Sequence, residues 1–194
     1  MKYRITLAIC LFLTTTLSAG DFSVSTNLLD WINLGTVNMQ AGCAFSRHIS
    51  VHADIRYNNW NFGSAEKGTP FQNRTRSASL GVRYWPWNVH SSWWGGAKVQ
   101  VKEYNHGGLF RKMTTEEGMA AGVGFAFGYS WMVSAHWNLD VGLGVWAGKT
   151  CYTQYRCPRC GRVLSSPDGS PVRDVWKWFI LPSNDVQVSL TYIF

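Results

Sequence analysis

GMAAGVGFAFGYSWMVSAHWNL, residues Gly118 to Leu139, is the stretch on which the fold turns. It holds no Asp, Glu, Lys or Arg, and Gly118/Gly122 and Gly124/Gly128 stand at the small-xxx-small spacing used by packed membrane helices. Its period argues for the other reading. Val123, Phe125, Phe127, Tyr129 and Trp131 share one parity, and Gly122, Gly124, Ala126, Gly128 and Ser130 share the other. A helix, with about 3.6 residues per turn, smears both sets around its circumference, whereas a strand puts them on opposite faces. The stretch therefore reads as a strand with one apolar face and one face of small and polar residues.

The same alternation runs outward in both directions. Val37, Met39, Ala41, Cys43 and Phe45 oppose Asn38, Gln40, Gly42 and Ala44, and after a tight turn at Arg47 and His48 the pattern resumes with Ile49, Val51, Ala53, Ile55 and Tyr57. Ala78 to Tyr84, Ala97 to Lys102, Leu139 to Val145 and Val186 to Phe194 follow the same rule, and Phe22 to Trp31 supplies an opening strand, which makes eight. Connections are tight after Phe45, Trp87 and Val133, and long over Gly63 to Arg74, His106 to Gly118 and Thr150 to Trp178. Alternating short and long ends predict an all-β, eight-stranded, antiparallel up-and-down transmembrane β-barrel, whose strands need about 9 to 11 residues to cross. A lipocalin-type barrel shares the strand number but keeps its apolar face inside. Three features point that face outward instead: small residues mixed with charges on the polar parity, aromatic ends on the apolar rows (Tyr57, Trp60, Tyr84, Trp85, Trp87, Tyr129, Trp131, Tyr192) and a terminal Phe194.

Composition agrees. Charged residues make up 15% of the 194, against about 25% in ordinary soluble domains, while 11 Trp, 8 Tyr, 10 Phe and 19 Gly favour sheets over helices. Lys2 and Arg4 before the apolar Ile5 to Leu17, followed by Ser18, Ala19 and Gly20, predict a cleaved signal peptide over 1–20, with the barrel over 21–194. Loss of that leader lowers the formal charge from +7 to +5, and the remaining Lys and Arg are scattered singly, which excludes a nucleic-acid-binding surface.

Several residues are candidates for chemistry. His52, Asp54, Arg56, Arg83, Lys98, Lys102, Asp140 and Asp185 fall on the polar parity, where an eight-stranded barrel has room only for side chains. They are expected to neutralise one another as a packed polar network rather than line a pore. Cys157, Pro158, Arg159, Cys160 and Gly161 form a CxxC knuckle, with Cys151 upstream in the same predicted outer loop, 150–178. Two readings stay open: a structural zinc, for which His106 is the available fourth ligand, and a disulfide formed outside the cytoplasm. No other cofactor is expected. Cys43 falls on the apolar face as a lipid-facing thiol. His106, Ser64 and Asp174 are the residues an outer-rim lipid-modifying enzyme would draw on, but three separate loops specify no geometry. No GxSxG, HExxH or GxxxxGK[ST] occurs, and no catalytic residue is assigned.

The alternating end Val188, Leu190, Tyr192, Phe194 resembles the C-terminal signal that delivers outer-membrane barrels to their assembly machinery. STNLLDWINLGTVNMQAG (25–42), SVHADIRYNNWNF (50–62) and CPRCG (157–161) are similar to a family of small Gram-negative outer-membrane barrels classed as a domain of unknown function and related to OmpA-type barrels. Some members of that family are joined to a peptidoglycan-binding domain, and some are encoded beside fimbrial proteins. The resemblance implies a monomeric, non-enzymatic outer-membrane protein, in contact with lipid and the assembly machinery, with a structural or surface-binding role near fimbriae or the cell envelope. A lipid A-modifying enzyme and a soluble lipocalin-like carrier are the alternatives.

Overall fold

The computed structural model describes residues 22–32, 35–62, 71–107, 114–156, 162–181 and 186–194. The expected leader, Ser64, Cys157, Cys160 and Asp185 lie outside the described residues. The chain is an antiparallel sheet of nine strands: β1 (Phe22–Asn27), β2 (Val37–Ser46), β3 (Ile49–Phe62), β4 (Phe71–Tyr84), β5 (Ser92–Gly107), β6 (Thr115–Met132), β7 (Trp137–Tyr155), β8 (Val175–Leu181) and β9 (Gln187–Ile193), with one short helix, α1 (Leu28–Ile32). Each strand from β1 to β7 pairs with the next in sequence. The sheet then closes on itself, because β9 pairs with β7 over Trp137 to Gly142 and with β1 on its other side. β8 lies beside the further half of β7, from Trp146 to Tyr152. The ring thus has eight places, and β8 and β9 lie along one of them.

Register explains why the alternation matters. Cys43, Val51, Val82, Ala97, Phe125 and Val145 stand side by side across six strands, and Ala41, Ala53, Leu80, Val99, Val123, Ala147 and Ile180 form the neighbouring row. These rows face outward: Phe125 and Phe127 are each 61% exposed and Leu80 is 55% exposed. The opposite parity faces in, where Ser50, Asn138, Asp140, Ser130 and Thr191 are buried. The arrangement inverts the usual partition of a water-soluble protein, which buries Leu, Val and Phe and exposes Ser, Asn and Asp. Cys43 lies on the outward row as expected, opposite Val51.

Three expectations need correction. The opening strand stops at Asn27 instead of running to Trp31, because the Asn27 side chain accepts hydrogen bonds from the backbone N–H of Leu29 (3.2 Å) and of Val188 (3.1 Å), ending the ladder and capping α1. An unexpected strand, β8, begins inside the predicted loop, and β7 continues to Tyr155, so the long connection spans 156–174 rather than 150–178. Its described part folds back on itself through the bridges Tyr155/Val163 and Ser165/Pro171, with Gly169 at the turn (φ 84°). Finally, Trp85 does not join the exposed aromatic ends, as Tyr84 and Trp87 do: its side chain is fully buried in the interior.

Candidate functional site: the polar interior and the outer wall

The interior is built in layers from the inward parity. At the end carrying the short turns, the Trp85 indole N–H donates to Ser50 Oγ (2.9 Å), which lies 2.7 Å from His52 Nε2. The Asn138 amide donates to Ser130 Oγ (3.1 Å) and to the His90 carbonyl, which also accepts from Ser130 Oγ (3.3 Å). His90 has a φ of 64°, which turns this carbonyl to the bundle of donors. Trp94 lies flat above the backbone of Gly128 and Gly142. A Cβ at Gly142 would sit 2.8 Å from its Cζ2, so only glycine leaves room for the indole.

Above this floor Arg83 organises the centre. Its guanidinium covers the Trp94 ring at 4.2 Å and donates to Gln40 Oε1 (3.3 Å) and Gln187 Oε1 (3.5 Å). Asp140 is 4.0 Å away, the outer limit of an ion pair, and is held more closely by the Thr191 hydroxyl at 2.7 Å. One layer on, Arg56 Nε lies 3.3 Å from Asp54 and 3.3 Å from Asp30, which α1 turns inward. Burial pushes the Asp30 carboxyl above the ordinary carboxylate range, with Arg56 pulling the other way. His52, Asp54, Arg56, Arg83 and Lys98 line a cavity of about 60 Å³, room for a few waters. Lys102 stands on the same inward face of β5, between Ser77 and Ala120. The structure therefore brings together His52, Asp54, Arg56, Arg83 and Lys98 around one cavity, with Asp140 at the edge of the Arg83 cluster. Trp85, expected in the outer girdle, and Gln40, expected on the polar face, complete that network together with Asp30, Trp94 and Gln187, none of which the sequence analysis names as a candidate for chemistry. Parity was the available signal for the two tryptophans, since each shares it with polar neighbours.

The remaining candidates disperse. Cys151 is not in a loop: it sits in β7 on the outward parity, between Met119 of β6 and Trp176 of β8. Among the described residues no group of three His, Cys, Asp or Glu side chains is placed to hold a metal. His106 faces inward from β5, with Nε2 3.1 Å from Thr75 Oγ1 and its ring against Tyr104. Asp174 is exposed beside Arg173 (3.6 Å). The two belong to different surroundings. Towards the long-loop end, the Tyr104 hydroxyl bridges Glu116 Oε1 (3.0 Å) and Thr150 Oγ1 (2.8 Å), and Gln154 donates to Glu116 Oε2 (3.2 Å). Val188, Leu190, Tyr192 and Phe194 alternate along β9 and the residue after it, and the Tyr192 and Phe194 rings meet edge to face at 5.1 Å.

The inward residues thus hold one another by hydrogen bonds, ion pairs and ring contacts. The described residues include two hydroxyl–imidazole pairs, Ser50 with His52 (2.7 Å) and Thr75 with His106 (3.1 Å), and of these Ser50 is fully buried with its hydroxyl already accepting from the Trp85 indole. A search of curated proteins finds no match to the chain. The family described as "Protein of unknown function (DUF3575)" matches residues 5–194, and the chain belongs to that family.

Proposed function

We propose that the protein is a β-barrel of the Gram-negative outer membrane, non-enzymatic and monomeric, which presents its long-loop end for a structural or binding role at the cell surface. The observation that carries this reading is the pair of faces: a continuous apolar belt on the outside of a closed ring whose inside is polar. Soluble monomers rarely expose contiguous apolar patches above about 300–600 Å², and here such rows cross six or seven neighbouring strands. A bilayer accepts only spanning structures with every backbone group paired, and a closed antiparallel ring meets that demand. A lipocalin-like carrier would need the opposite orientation, with the apolar row around a ligand.

Further features support the reading. β6 and β7, of 18 and 19 residues, exceed the crossing length of about 9–11 and leave polar wall beyond the belt. Both the Phe22 and the Phe194 ends lie at the short-turn side, where Phe194 N–H donates to the Phe22 carbonyl (3.1 Å). The small central cavity and its mutually bonded lining favour a packed polar core over a pore. In this reading the rows ending in Tyr192 and Phe194 are what the barrel assembly machinery recognises, and association with fimbriae or other envelope proteins falls to the connection 156–174. Whether Cys151, on the wall, joins Cys157 and Cys160 in a disulfide or a zinc site is decided by thiol counting and metal analysis.

The test is electrophoresis of detergent-solubilised protein, unheated and boiled, beside fractionation of the producing cells. The expected outcome is a compact, faster band before boiling and recovery in the outer-membrane fraction. Protein that stays soluble without detergent and never changes mobility would overturn the proposal.

A further inference from the structure

β8 is paired on one side only. Its seven residues run along β7 from Tyr152 back to Trp146, and it is last in the strand order. The place on its other side belongs, lower in the ring, to β1, which pairs with β9 over Ser23 to Asn27. Beyond Asn27 the chain turns into α1, so no strand arrives beside β8. Among the described residues no backbone hydrogen bond outside the β7 ladder reaches Val175 to Leu181. In an antiparallel ladder alternate residues turn both N–H and C=O away from the neighbour, so this free edge carries a regular row of donors and acceptors. Exposure agrees. Ala120, Thr150 and Lys177 share one inward row, yet Ala120 is buried and Lys177 is exposed, so the interior meets solvent at β8.

We propose that this edge takes up an extended strand of a partner protein, apolar on its outward face and with a carboxylate on its inward face opposite Lys177. The inference rests on the surface-binding reading above and adds to it the kind of partner and the place where it docks. Backbone donors and acceptors in ladder spacing are matched by another backbone strand, and a lipid offers no such row. VWKWFIL (175–181) fits a pleated surface, and its outward Trp176, Trp178 and Ile180, all exposed, offer an added strand apolar cross-strand pairs. Lys177 is the one charged residue of β8, its ammonium 5.2 Å from the Tyr152 ring centre, and no ion pair among the described residues includes it. The carboxylates nearby are engaged elsewhere: Asp174 with Arg173, Asp30 with Arg56, and Glu116 with Tyr104 and Gln154. Glu117 lies on the outward face, in register with Thr153 and Asn105. Natural sheet edges carry an inward lysine to discourage pairing with their own kind, and a strand with a carboxylate at that place escapes the restriction.

The experiment uses the full chain in a neutral maltoside detergent. The probe is a fluorescent, end-capped peptide as long as β8 that alternates valine and threonine, with glutamate in place of its central threonine. Saturable binding of one peptide per chain is expected, read by anisotropy and native mass spectrometry. Two further forms of the peptide are N-methylated on alternate amides, in opposite phase. Methyl groups on the phase that meets β8 should abolish binding, and the other phase should bind as the parent does. In hydrogen exchange, alternate β8 amides should exchange freely without peptide and be protected with it. Lys177→Glu should weaken binding of the glutamate peptide about fivefold, and a peptide with lysine in that place should restore it, as a reversed cross-strand charge pair does. The variant should keep the compact unheated band, because Lys177 is exposed. A chain that shows this band and binds no peptide would overturn the inference. So would binding indifferent to the phase of methylation, β8 amides already protected in the free chain, or two copies of the chain joined at that edge. If the wild-type chain shows no compact band and needs no detergent, the reading as a surface barrel falls and this inference falls with it.

Discussion

At the short-turn end the ring is filled by the volume of two tryptophans, and at the long-loop end, where Tyr152 is also buried, its side chains are joined mainly by hydrogen bonds. Trp85 is fully buried and Trp94 is 3% exposed, their ring centres 6.3 Å apart, with glycine backbone beneath Trp94 and Arg83 above it. There β9 is paired on both sides, so the ladder is complete. At the other end β1 gives way to α1, β8 is last in the strand order with only β7 beside it, and the interior is joined by Tyr104, Glu116, Thr150 and Gln154, all partly exposed. Packed volume cannot be exchanged for water, whereas exposed hydrogen bonds can. The lesson is a division of labour: a rigid floor carries the ring, and a more yielding rim holds the segments free to vary and to bind.

The sharpest way to break that contrast is to remove the floor. Trp85→Ala deletes a side chain with no solvent to replace it and leaves Ser50 without its indole donor. The expected cost is about 3–5 kcal/mol, the range for a buried large-to-small aromatic change. The loss is read as a lower midpoint, in heat or urea, for disappearance of the compact unheated band. A midpoint within error of wild type would mean that the floor is not where stability resides.

The rim should respond less. Tyr104→Phe keeps the ring and removes the hydroxyl that links Glu116 to Thr150. Partly exposed groups are rescued by water, so about 0.5–1.5 kcal/mol is expected. Limited proteolysis of the connection 156–174 is the local readout, since its strand β7 carries Thr150 and Gln154. Faster cleavage with little change in the global midpoint would sharpen the comparison, and a global loss as large as that of Trp85→Ala would abolish it.

How far these two ends were legible in the sequence follows from what each depends on. Parity alone determines which residues face in, so the inward positions of His52, Arg83, Lys98 and Asp140 were readable one strand at a time. Trp94 and Trp146 also share parity with polar neighbours, Lys98 and Asp140, and Trp85 follows Arg83 by two. Of the three, the sequence reading places only Trp85, and places it on the wall, because aromatic side chains at strand ends suggest an interfacial girdle. That Gly128 and Gly142 clear a space for Trp94 depends on the register of β5, β6 and β7, which no single strand contains. The extra strand β8 was hidden for a different reason. VWKWFIL (175–181) alternates well enough, but it pairs with the upper half of β7, and the length of β7 could not be known before its partner was. Asn27 turning the opening strand into α1 is a single side-chain effect that the surrounding apolar pattern outweighed.

α1 supplies the smallest and most discriminating test, because among the described residues its Asp30 is the one interior charge delivered by a helix rather than by a strand. Its carboxyl is 16% exposed and 3.3 Å from Arg56, which also has Asp54 at 3.3 Å. Burial raises the folded pKa of Asp30 above its ordinary value of 3.8. A carboxyl so raised takes up protons more readily folded than unfolded, so its contribution favours the fold below the unfolded value and is lost as pH rises through the folded one. Asp30→Asn keeps the shape, removes the charge that burial disfavours and leaves Arg56 with Asp54. At neutral pH the two effects oppose, and a change below about 1 kcal/mol is expected. The informative quantity is the slope: as pH rises above the ordinary value of 3.8, the variant should lose less stability than wild type. An unchanged slope would mean that the helix end is wetter than its burial implies. It would also mean that the boundary between packed floor and hydrated rim runs below α1, through the Arg56 layer itself.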